Sequence, residues 1–382
     1  MTRQQGLTVA RWLAGPLPKA VAQSIDRLTN AEDVHHVAVM PDVHLSGDVC
    51  VGLAVATESL IYPAAVGGDI GCGMAAIATD ADADMLSSES AATAILNGLR
   101  HCVPANRHSR QTMPSELPPV LRELPLSAPR LEKIASRDGR VQFGTLGRGN
   151  HFLELQADQE DRLWIMLHSG SRAMGQAITG HQVAIAERQS QRRKLPWLDS
   201  QSNEGQAYLA DVEWAVTYAE HSRLAMLRAS ESLLHELFGI RFDWDSLIHA
   251  NHNHVRRETH FGRELLVHRK GALPAADGQA GVIPGSMGSA SFHVTGRGCE
   301  QALCSSSHGA GRALSRGEAA ERITPRQLAR EMHSVWFDRR LSRQLCDEAP
   351  SAYKDVHAVM RAQRELTRIE RELRPLISYK GC

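Results

Sequence analysis

The chain has 382 residues, of which 42% are hydrophobic and 23% are charged. This balance excludes an intrinsically disordered chain and is typical of a globular protein that buries a large core without disulfide bonds. Lysine plus arginine and aspartate plus glutamate each number 43, so the net charge is zero and any surface that binds nucleic acid must be local.

The cysteines and the first residues indicate the compartment. Seven cysteines are scattered along the chain, and the start "MTRQQGLTVARWLAGPL" lacks the long apolar segment of a secretory signal. No apolar run reaches membrane-spanning length. We therefore expect a cytoplasmic protein with reduced thiols and no membrane contact. In that setting an unusual cysteine favours a metal ligand or a nucleophile over half of a disulfide.

The first part of the chain is predicted to form strands that end in tight polar loops. Apolar runs predict a strand over 35–44, two more within 49–66, and another over 75–79 after a glycine-rich turn. Residues 84–101 are predicted to be helical. Six of the sixteen prolines fall within 103–130, which predicts a loop-rich surface excursion or lid.

The second part alternates strands and helices. Two strand–loop units are predicted within 141–156 and 162–176, then a polar loop over 186–206 and one long amphipathic helix over 207–238. Strands are predicted to resume between about 247 and 311, with helices around 325–346 and 354–372. No repeat or clean linker divides the chain, so we predict one large mixed domain over residues 1–382. Arg223 lies on the apolar face of the long helix, where a snorkelling side chain is the favoured interpretation over a buried arginine that reaches an anion.

The stretch "VGGDIGCGM" places four glycines around Asp69 and Cys72. A turn with a buried structural cysteine is the simplest interpretation of this stretch alone. His151, His168 and His252, however, each lie where an apolar run meets a polar loop, the place where a scaffold presents site residues. One thiol, one carboxylate and several imidazoles form a plausible divalent-metal site. Five ligands are too many for one tetrahedral ion. They suit two metals roughly 3.5–4 Å apart that share the cysteine sulfur.

Two loops rich in glycine and serine, 282–292 and 305–316, can form backbone nests for anions. Arg312 and Arg316 are candidate phosphate ligands. Neither loop matches a P-loop or a dinucleotide-binding fingerprint. His308 lies inside the second loop, where it is a candidate nucleophile toward phosphate or a further metal ligand, and the three serines 305–307 beside it are rival nucleophiles.

Taken together, the motifs resemble one known family, RtcB, the GTP-dependent RNA-splicing ligases. The matching motifs, in order, are "MPDVH", "VGGDIGCGM", "FGTLGRGNHFLE", "LHSGSRAMG", "RKGA", "IPGSMGSASF", "SHGAGR.LSR", "EAPSAYKDV" and "YKG". The resemblance runs from about residue 35 to the C-terminus. It implies an α+β fold with packed central sheets and outer helices. It also implies an enzyme that uses GTP and two Mn²⁺ ions to join RNA ends bearing a 3′-phosphate or 2′,3′-cyclic phosphate to RNA ends bearing a 5′-hydroxyl.

The resemblance also implies roles for individual residues. Cys72 would bridge the two metals, with His168 and His252 completing one site and Asp69 and His151 the other. His308 would carry GMP as a covalent adduct, and Tyr353 is a further candidate for nucleotide contact. The residues implied to hold the nucleotide are Asn150, His151, Phe152, Leu153, Glu154, His252, Asn253, Pro284, Gly285, Ser286, Met287, Ser291, His308, Gly309, Ala310, Gly311 and Lys380.

The chain departs from the family pattern at Ser46, Asp48, Gly68 and 221–223, which leaves tRNA splicing and RNA repair open as its role. The sequence leaves open whether an accessory activator protein is a partner. A metal-dependent phosphohydrolase or nuclease, and a non-catalytic RNA-binding protein on the same fold, are the alternative functions; an intact His308 argues against both. A basic cluster could follow an RNA backbone, although a solvated loop is the commoner explanation for such a run; it consists of Arg188, Arg192, Arg193 and Lys194.

Overall fold

The computed structural model describes residues 7–191 and 194–381. Its strands are β1 (Thr8–Arg11), β2 (Val34–His44), β3 (Val51–Thr57), β4 (Leu60–Ile61), β5 (Gly73–Asp82), β6 (Phe152–Ala157), β7 (Arg162–Ser169), β8 (Leu198–Asp199), β9 (Phe242–Asn251), β10 (Asn253–His260), β11 (Arg263–Lys270), β12 (Ala272–Pro274), β13 (Ala280–Ile283), β14 (Ser291–Gly296), β15 (Ser305–Ser307), β16 (Trp336–Phe337) and β17 (Thr367–Lys380). Its α-helices are α1 (Lys19–Thr29), α2 (Glu89–Cys102), α3 (Pro119–Glu123), α4 (Pro129–Ile134), α5 (Arg140–Gln142), α6 (Ala173–Gln189), α7 (Asn203–Phe238), α8 (Arg316–Arg322), α9 (Pro325–Glu331) and α10 (Val356–Ala362). A π-helical segment, Ala135–Gly139, joins α4 to α5. Short 3-10 helices cover Pro63–Ala65, Ala83–Leu86, Glu300–Ala302, Arg339–Leu341, Cys346–Glu348 and Pro350–Ala352.

Two sheets organise the fold. The larger has the strand order β13-β14-β17-β6-β7-β5-β9, with β16 pairing alongside β17. The smaller has the order β1-β2-β3-β11-β10, and short two-stranded ladders join β12 to β15 and β4 to β8. Most pairs are antiparallel, and only β1 with β2 and β16 with β17 are parallel among the described pairs. The predicted α+β class is confirmed.

Helices α2 and α7 cover one face of the larger sheet. Leu153 and Ile165 from the strands pack in one buried cluster with Leu99 and Leu227 from these helices. Because successive strand residues point to opposite faces, Phe152 and its neighbours at even positions on β6 are directed to the other face. The helices therefore hold the sheet from one side and leave the opposite side free to line a site.

The strand predictions for the first part of the chain are confirmed by β2, β3, β4 and β5. The predicted helix 84–101 is confirmed as Glu89–Cys102. The long predicted helix is confirmed and begins earlier, at Asn203, because Ser202 caps it by accepting a hydrogen bond from the Gly205 amide at 3.0 Å.

Both helix predictions near the C-terminus are wrong in extent. The helix predicted over 325–346 ends at Glu331 and gives way to β16 and short 3-10 segments. The helix predicted over 354–372 ends at Ala362, and the chain enters β17 at Thr367. β17 lies inside the larger sheet between β14 and β6. Pairing on both edges of this strand outweighs the local sequence preference.

The proline-rich segment 103–130 is not a free lid. It contains the short helix α3, and Leu117, Leu121 and Leu126 are buried against the α6–α7 side of the core. The indole of Trp214 on α7 donates to the Leu121 carbonyl at 3.0 Å. The loop predicted over 186–206 is also shorter than expected, because α6 continues to Gln189 and α7 begins at Asn203.

Candidate active site

A cavity of about 1,100 Å³ collects residues from the ends of β2, β6, β7 and β10 and from the two glycine- and serine-rich loops. It brings together predicted site residues that lie far apart in the sequence. Those that line it are Asp69, Cys72, Asn150, Phe152, Glu154, His168, His252, Asn253, Pro284, Gly285, Ser286, Met287, His308, Gly309, Ala310, Gly311, Tyr353 and Lys380. Leu153 has its side chain in the core instead, and Ser291 is buried behind the loop, where its hydroxyl accepts from the Gly285 amide at 3.3 Å.

The five predicted metal ligands form two groups that share Cys72. In the first, the Cys72 sulfur lies 3.1 Å from Nε2 of His168, which lies 3.3 Å from Nε2 of His252. In the second, Nε2 of His151 lies 2.9 Å from Oδ2 of Asp69 and 3.5 Å from the same sulfur. The ligand atoms within each group all lie within 4.8 Å of one another. One sulfur between two groups is the arrangement that a pair of bridged cations requires.

The chemical state of these side chains fits cation binding. The Nδ1 of His168 bonds to the Asn150 carbonyl at 3.1 Å, which places the proton on Nδ1 and leaves Nε2 as a free electron-pair donor. Burial, with the charge of His308, holds the pKa of His252 well below its usual value, so this imidazole is neutral. Burial, with the charge of Asp69, raises the pKa of the Cys72 thiol. A thiolate at this place therefore needs a cation beside it, and the residues fit a metal pair.

Arg223 holds the loop that carries Cys72. Its side chain is fully buried, so the snorkelling interpretation is wrong. The guanidinium donates to the carbonyls of Gly71 at 2.9 Å and Ser169 at 2.7 Å, to Nε2 of His249 at 2.8 Å, and to the side-chain oxygen of Asn251. These acceptors are neutral, so Arg223 does not reach an anion. It ties the cysteine loop to the end of β7, next to His168.

Two glycines leave room for the ligands. A Cβ on Gly170 would lie 2.2 Å from Oδ1 of Asp69, and a Cβ on Gly147 would lie 2.1 Å from Nδ1 of His151. Both distances are far below van der Waals contact. The glycine-rich motifs around the histidines are therefore explained by close approach of the backbone to the ligands.

His308 is fixed by a carboxylate that the sequence analysis did not single out. The buried side chain of Asp42 accepts hydrogen bonds from Nδ1 of His308 at 2.7 Å and from its backbone amide at 3.1 Å. Since the carboxylate accepts at Nδ1, Nε2 carries the electron pair. The rings of His308 and His252 lie 4.7 Å apart, so the nucleophile candidate adjoins the metal cluster. The sequence signal for Asp42 was its place at the end of a buried strand in "MPDVH".

The three serines beside His308 are less available. Ser305, Ser306 and Ser307 form β15 and are buried. The Ser305 hydroxyl donates to the Leu303 carbonyl at 2.8 Å, and the Ser306 hydroxyl donates to the Ser307 carbonyl at 3.3 Å. The Ser307 hydroxyl donates to the Gln363 side chain at 2.7 Å. Each of the three rival hydroxyls is thus engaged by a protein acceptor.

The other end of the cavity carries a carboxyl group beside a lysine. Glu154 and Lys380 lie on the paired strands β6 and β17. The Glu154 carboxyl group accepts from Ser378 at 3.0 Å and from Gln156 at 2.9 Å, and burial raises its pKa to about 7. The Lys380 ammonium lies 5.7 Å from the centre of the Phe152 ring. Acceptor, donor and aromatic face therefore converge in one place.

Glu348 gathers the cationic side chains at this end of the cavity. It forms ion pairs with Lys380, with Arg312 at 3.2 Å and with Arg316 at 2.6 Å, and accepts from the Tyr353 hydroxyl at 2.7 Å. Burial opposes ionisation of Glu348, but the charges of Lys380 and Arg316 outweigh it and lower its pKa. The two arginines predicted to meet phosphate are thus held in place by a carboxylate.

The basic cluster is only partly described. Arg188 is exposed near the end of α6, and Lys194 is exposed beyond it. Arg192 and Arg193 lie outside the described residues. No RNA contact is assigned to this cluster.

Comparisons with known proteins point to one family. A family model described as "tRNA-splicing ligase RtcB" matches residues 24–381. The chain is 37% identical over 369 residues to a protein of Escherichia coli named RNA-splicing ligase RtcB, covering 91% of this chain and 90% of that relative. A protein of the same name from Mycobacterium tuberculosis is 30% identical over 417 residues, covering 90% and 96%. Among the described residues, no helix is long and apolar enough to cross a membrane.

Proposed function

The chain belongs to the RtcB family of tRNA-splicing ligases, and from that premise we propose that it is a GTP-dependent RNA ligase. It joins an RNA end with a 3′-phosphate or 2′,3′-cyclic phosphate to an RNA end with a 5′-hydroxyl. The observation that carries the proposal is His308, held by the buried carboxylate of Asp42 beside a cluster of five metal-ligand side chains.

The first step is attack of His308 on GTP. The electron pair on Nε2 forms a bond to the α-phosphorus, and the bond from that phosphorus to pyrophosphate breaks. Asp42 keeps the proton on Nδ1 and offsets the positive charge that the imidazole gains, as a carboxylate does for a catalytic histidine. The product is a phosphoramidate that carries GMP on His308.

The guanine base is proposed to bind between Phe152 and Tyr353. Guanine presents N1–H and N2–H donors beside the O6 acceptor. A Glu154 carboxylate next to the Lys380 ammonium matches that edge. Adenine presents a donor at C6 and an acceptor at N1, so it would face a like group at both positions. This pairing supports GTP over ATP.

The metal ligands are proposed to hold two Mn²⁺ ions, with Cys72 shared, Asp69 and His151 on one ion, and His168 and His252 on the other. The donor set alone also suits zinc, and the choice of manganese comes from the family resemblance. Divalent cations there would supply charge that stabilises the phosphate groups during transfer.

The second and third steps use the RNA ends. An oxygen of the RNA 3′-phosphate attacks the phosphorus of GMP, the bond to His308 breaks, and RNA(3′)pp(5′)G is formed. The acceptor 5′-hydroxyl then attacks the 3′-phosphorus and GMP leaves. A phosphate is a poor electrophile until it carries such a leaving group, which gives the guanylylation its purpose.

The test is labelling with α-labelled GTP and Mn²⁺. We expect wild-type protein to take up the label in a bond that is stable in alkali and labile in acid, as a phosphoramidate is. His308→Ala should lose all label and keep its metals. Without a 5′-hydroxyl acceptor, RNA(3′)pp(5′)G should accumulate.

Other outcomes identify the alternatives. An acid-stable, alkali-sensitive adduct would assign the chemistry to a serine instead of His308. RNA cleavage or phosphate release without any labelled protein would indicate a metal-dependent phosphohydrolase or nuclease. RNA binding with neither reaction would indicate a non-catalytic RNA-binding protein.

A further inference from the structure

One histidine that lines the cavity has no part in the steps above. His44 is the last residue of β2, two positions after Asp42, and it lines the cavity. Its Nδ1 bonds to the Asp42 backbone, and the Asp42 carboxylate bonds to His308, so His44 adjoins the Asp42–His308 pair in the cavity.

The hydrogen bonding of His44 leaves one ring nitrogen available. Its Nδ1 bonds to the backbone carbonyl of Asp42 at 2.9 Å. Because a carbonyl can only accept, Nδ1 carries the proton and Nε2 carries the electron pair. No side chain or backbone group in 7–191 or 194–381 makes a hydrogen bond to this Nε2. A neutral imidazole with a free electron pair is a capable acceptor for a proton.

The cavity around His44 differs from the nucleotide end. At about 1,100 Å³ it exceeds the roughly 300–1,000 Å³ of typical small-molecule sites, so it has room beyond one nucleotide. Part of its wall near His44 is apolar, and Lys354, whose ammonium donates to the Val43 carbonyl at 2.6 Å, lines the cavity beside this part. Leu45 is 52% exposed and Leu13 is 36% exposed, while Leu17 packs against the buried cluster that contains Val43. The apolar part of this wall suits the face of a nucleoside.

Part of this apolar wall lies outside the family match. The segment Leu13–Val21 lines the cavity, whereas the family model begins at residue 24. The wall therefore includes residues for which the family match implies no role.

We propose that His44 is the catalytic base that takes the proton from the 5′-hydroxyl of the acceptor RNA, whose terminal nucleoside packs against Leu13 and Leu45. The inference rests on the proposed ligase function and concerns its last step only. The 5′-oxygen forms a bond to the 3′-phosphorus, the bond from that phosphorus to GMP breaks, and GMP leaves with the electron pair. The hydroxyl proton moves to Nε2 of His44.

The charges around His44 are consistent with this role. Burial lowers the pKa of His44 to about 4 and the charges of His308 and Lys354 act in the same direction, while Asp42 opposes them. The free enzyme thus holds a neutral imidazole at physiological pH. RNA phosphates that enter the cavity add negative charge, which raises the pKa and makes the imidazole a stronger base.

The experiment isolates the sealing step. Purified RNA(3′)pp(5′)G and a 5′-hydroxyl RNA are mixed with wild-type protein, His44→Ala and His44→Gln in single-turnover reactions. We expect both variants to seal about 10²–10⁴-fold more slowly than wild type, the range for loss of a general base. Labelling of His308 by GTP and metal content should stay within about twofold of wild type, which also shows that the variants fold. Added imidazole should restore sealing in His44→Ala, where the side chain has left space.

His35→Ala is the matched control, because His35 lies on the same strand and does not line the cavity; it should seal at the wild-type rate. Leu45→Ser should raise the KM for the acceptor RNA and leave labelling unchanged. Sealing at the wild-type rate by His44→Ala would overturn the proposal. Equal loss of labelling and sealing, without imidazole rescue, would also overturn it, because His44 would then act only by positioning Asp42. Absence of labelling and sealing in wild type itself would instead refute the ligase function.

Discussion

Replacing Arg223 with methionine tests whether one buried guanidinium holds the metal loop. Methionine keeps most of the side-chain volume and removes the charge and the donors. The loss leaves the carbonyls of Gly71 and Ser169 without their side-chain partner. These two residues flank Cys72 and His168, so the change acts on stability and on the metal site together.

The magnitude follows from the four acceptors of Arg223. A hydrogen bond from a charged donor contributes about 1.5–3 kcal/mol net. Burial lowers the pKa of Arg223 to about 10, so the group stays charged at pH 7 but is costly to bury, which offsets part of that gain. Leaving a buried neutral acceptor without its partner costs about 1–3 kcal/mol, so the carbonyls of Gly71 and Ser169 together account for several kcal/mol. We expect a loss of that size, a large fraction of the 5–15 kcal/mol typical of a folded protein.

Urea unfolding of the metal-free protein measures this loss, and Mn²⁺ titration of the folded variant measures the effect on the site. Arg228→Met is the matched control, since Arg228 is an exposed residue on the same helix; its guanidinium lies 5.8 Å from the centre of the Trp244 ring, and its loss should cost no more than about 1 kcal/mol. A loss below about 1 kcal/mol in Arg223→Met, or unchanged Mn²⁺ affinity, would refute the view that Arg223 anchors the loop.

Three further predictions concern the cavity. Cys72→Ala should weaken both metal sites together and His252→Ala chiefly one, so native mass spectrometry should find fewer ions in the first variant, and equal losses would contradict the shared sulfur. Asp42→Asn should slow GTP labelling roughly 10²–10⁴-fold with metals retained, because an amide that donates to Nδ1 moves the proton to the reactive Nε2; labelling at the wild-type rate would argue against the Asp42 contact. Because burial raises the pKa of Glu154 to about 7 and guanine needs the carboxylate, GTP affinity should fall roughly tenfold per pH unit below pH 7. Glu154→Gln should bind GTP weakly without that pH dependence, and calorimetric titrations of both proteins from pH 5.5 to 8.5 would show it.

The sequence alone was sufficient for the features that depend on local pattern. The apolar run 35–44 predicted β2, because a buried strand is a short continuous run of apolar residues. The amphipathic repeat over 207–238 predicted α7, because a helix with one buried face repeats its apolar residues at the helical period. Long motifs in order also predicted the family, and with it the cysteine, carboxylate and histidines that meet in the cavity.

The tertiary structure alone decided the features that depend on partners distant in sequence. The stretch 367–380 is a strand because β14 and β6 pair with both of its edges, and no local pattern contains those neighbours. Arg223 is buried because four acceptors from three separate segments surround its guanidinium, which offsets the cost of removing a charge from water. Asp42 lies 266 positions from His308 in sequence, and only the folding of β2 against the loop after β15 brings the carboxylate to the imidazole and sets which nitrogen can react.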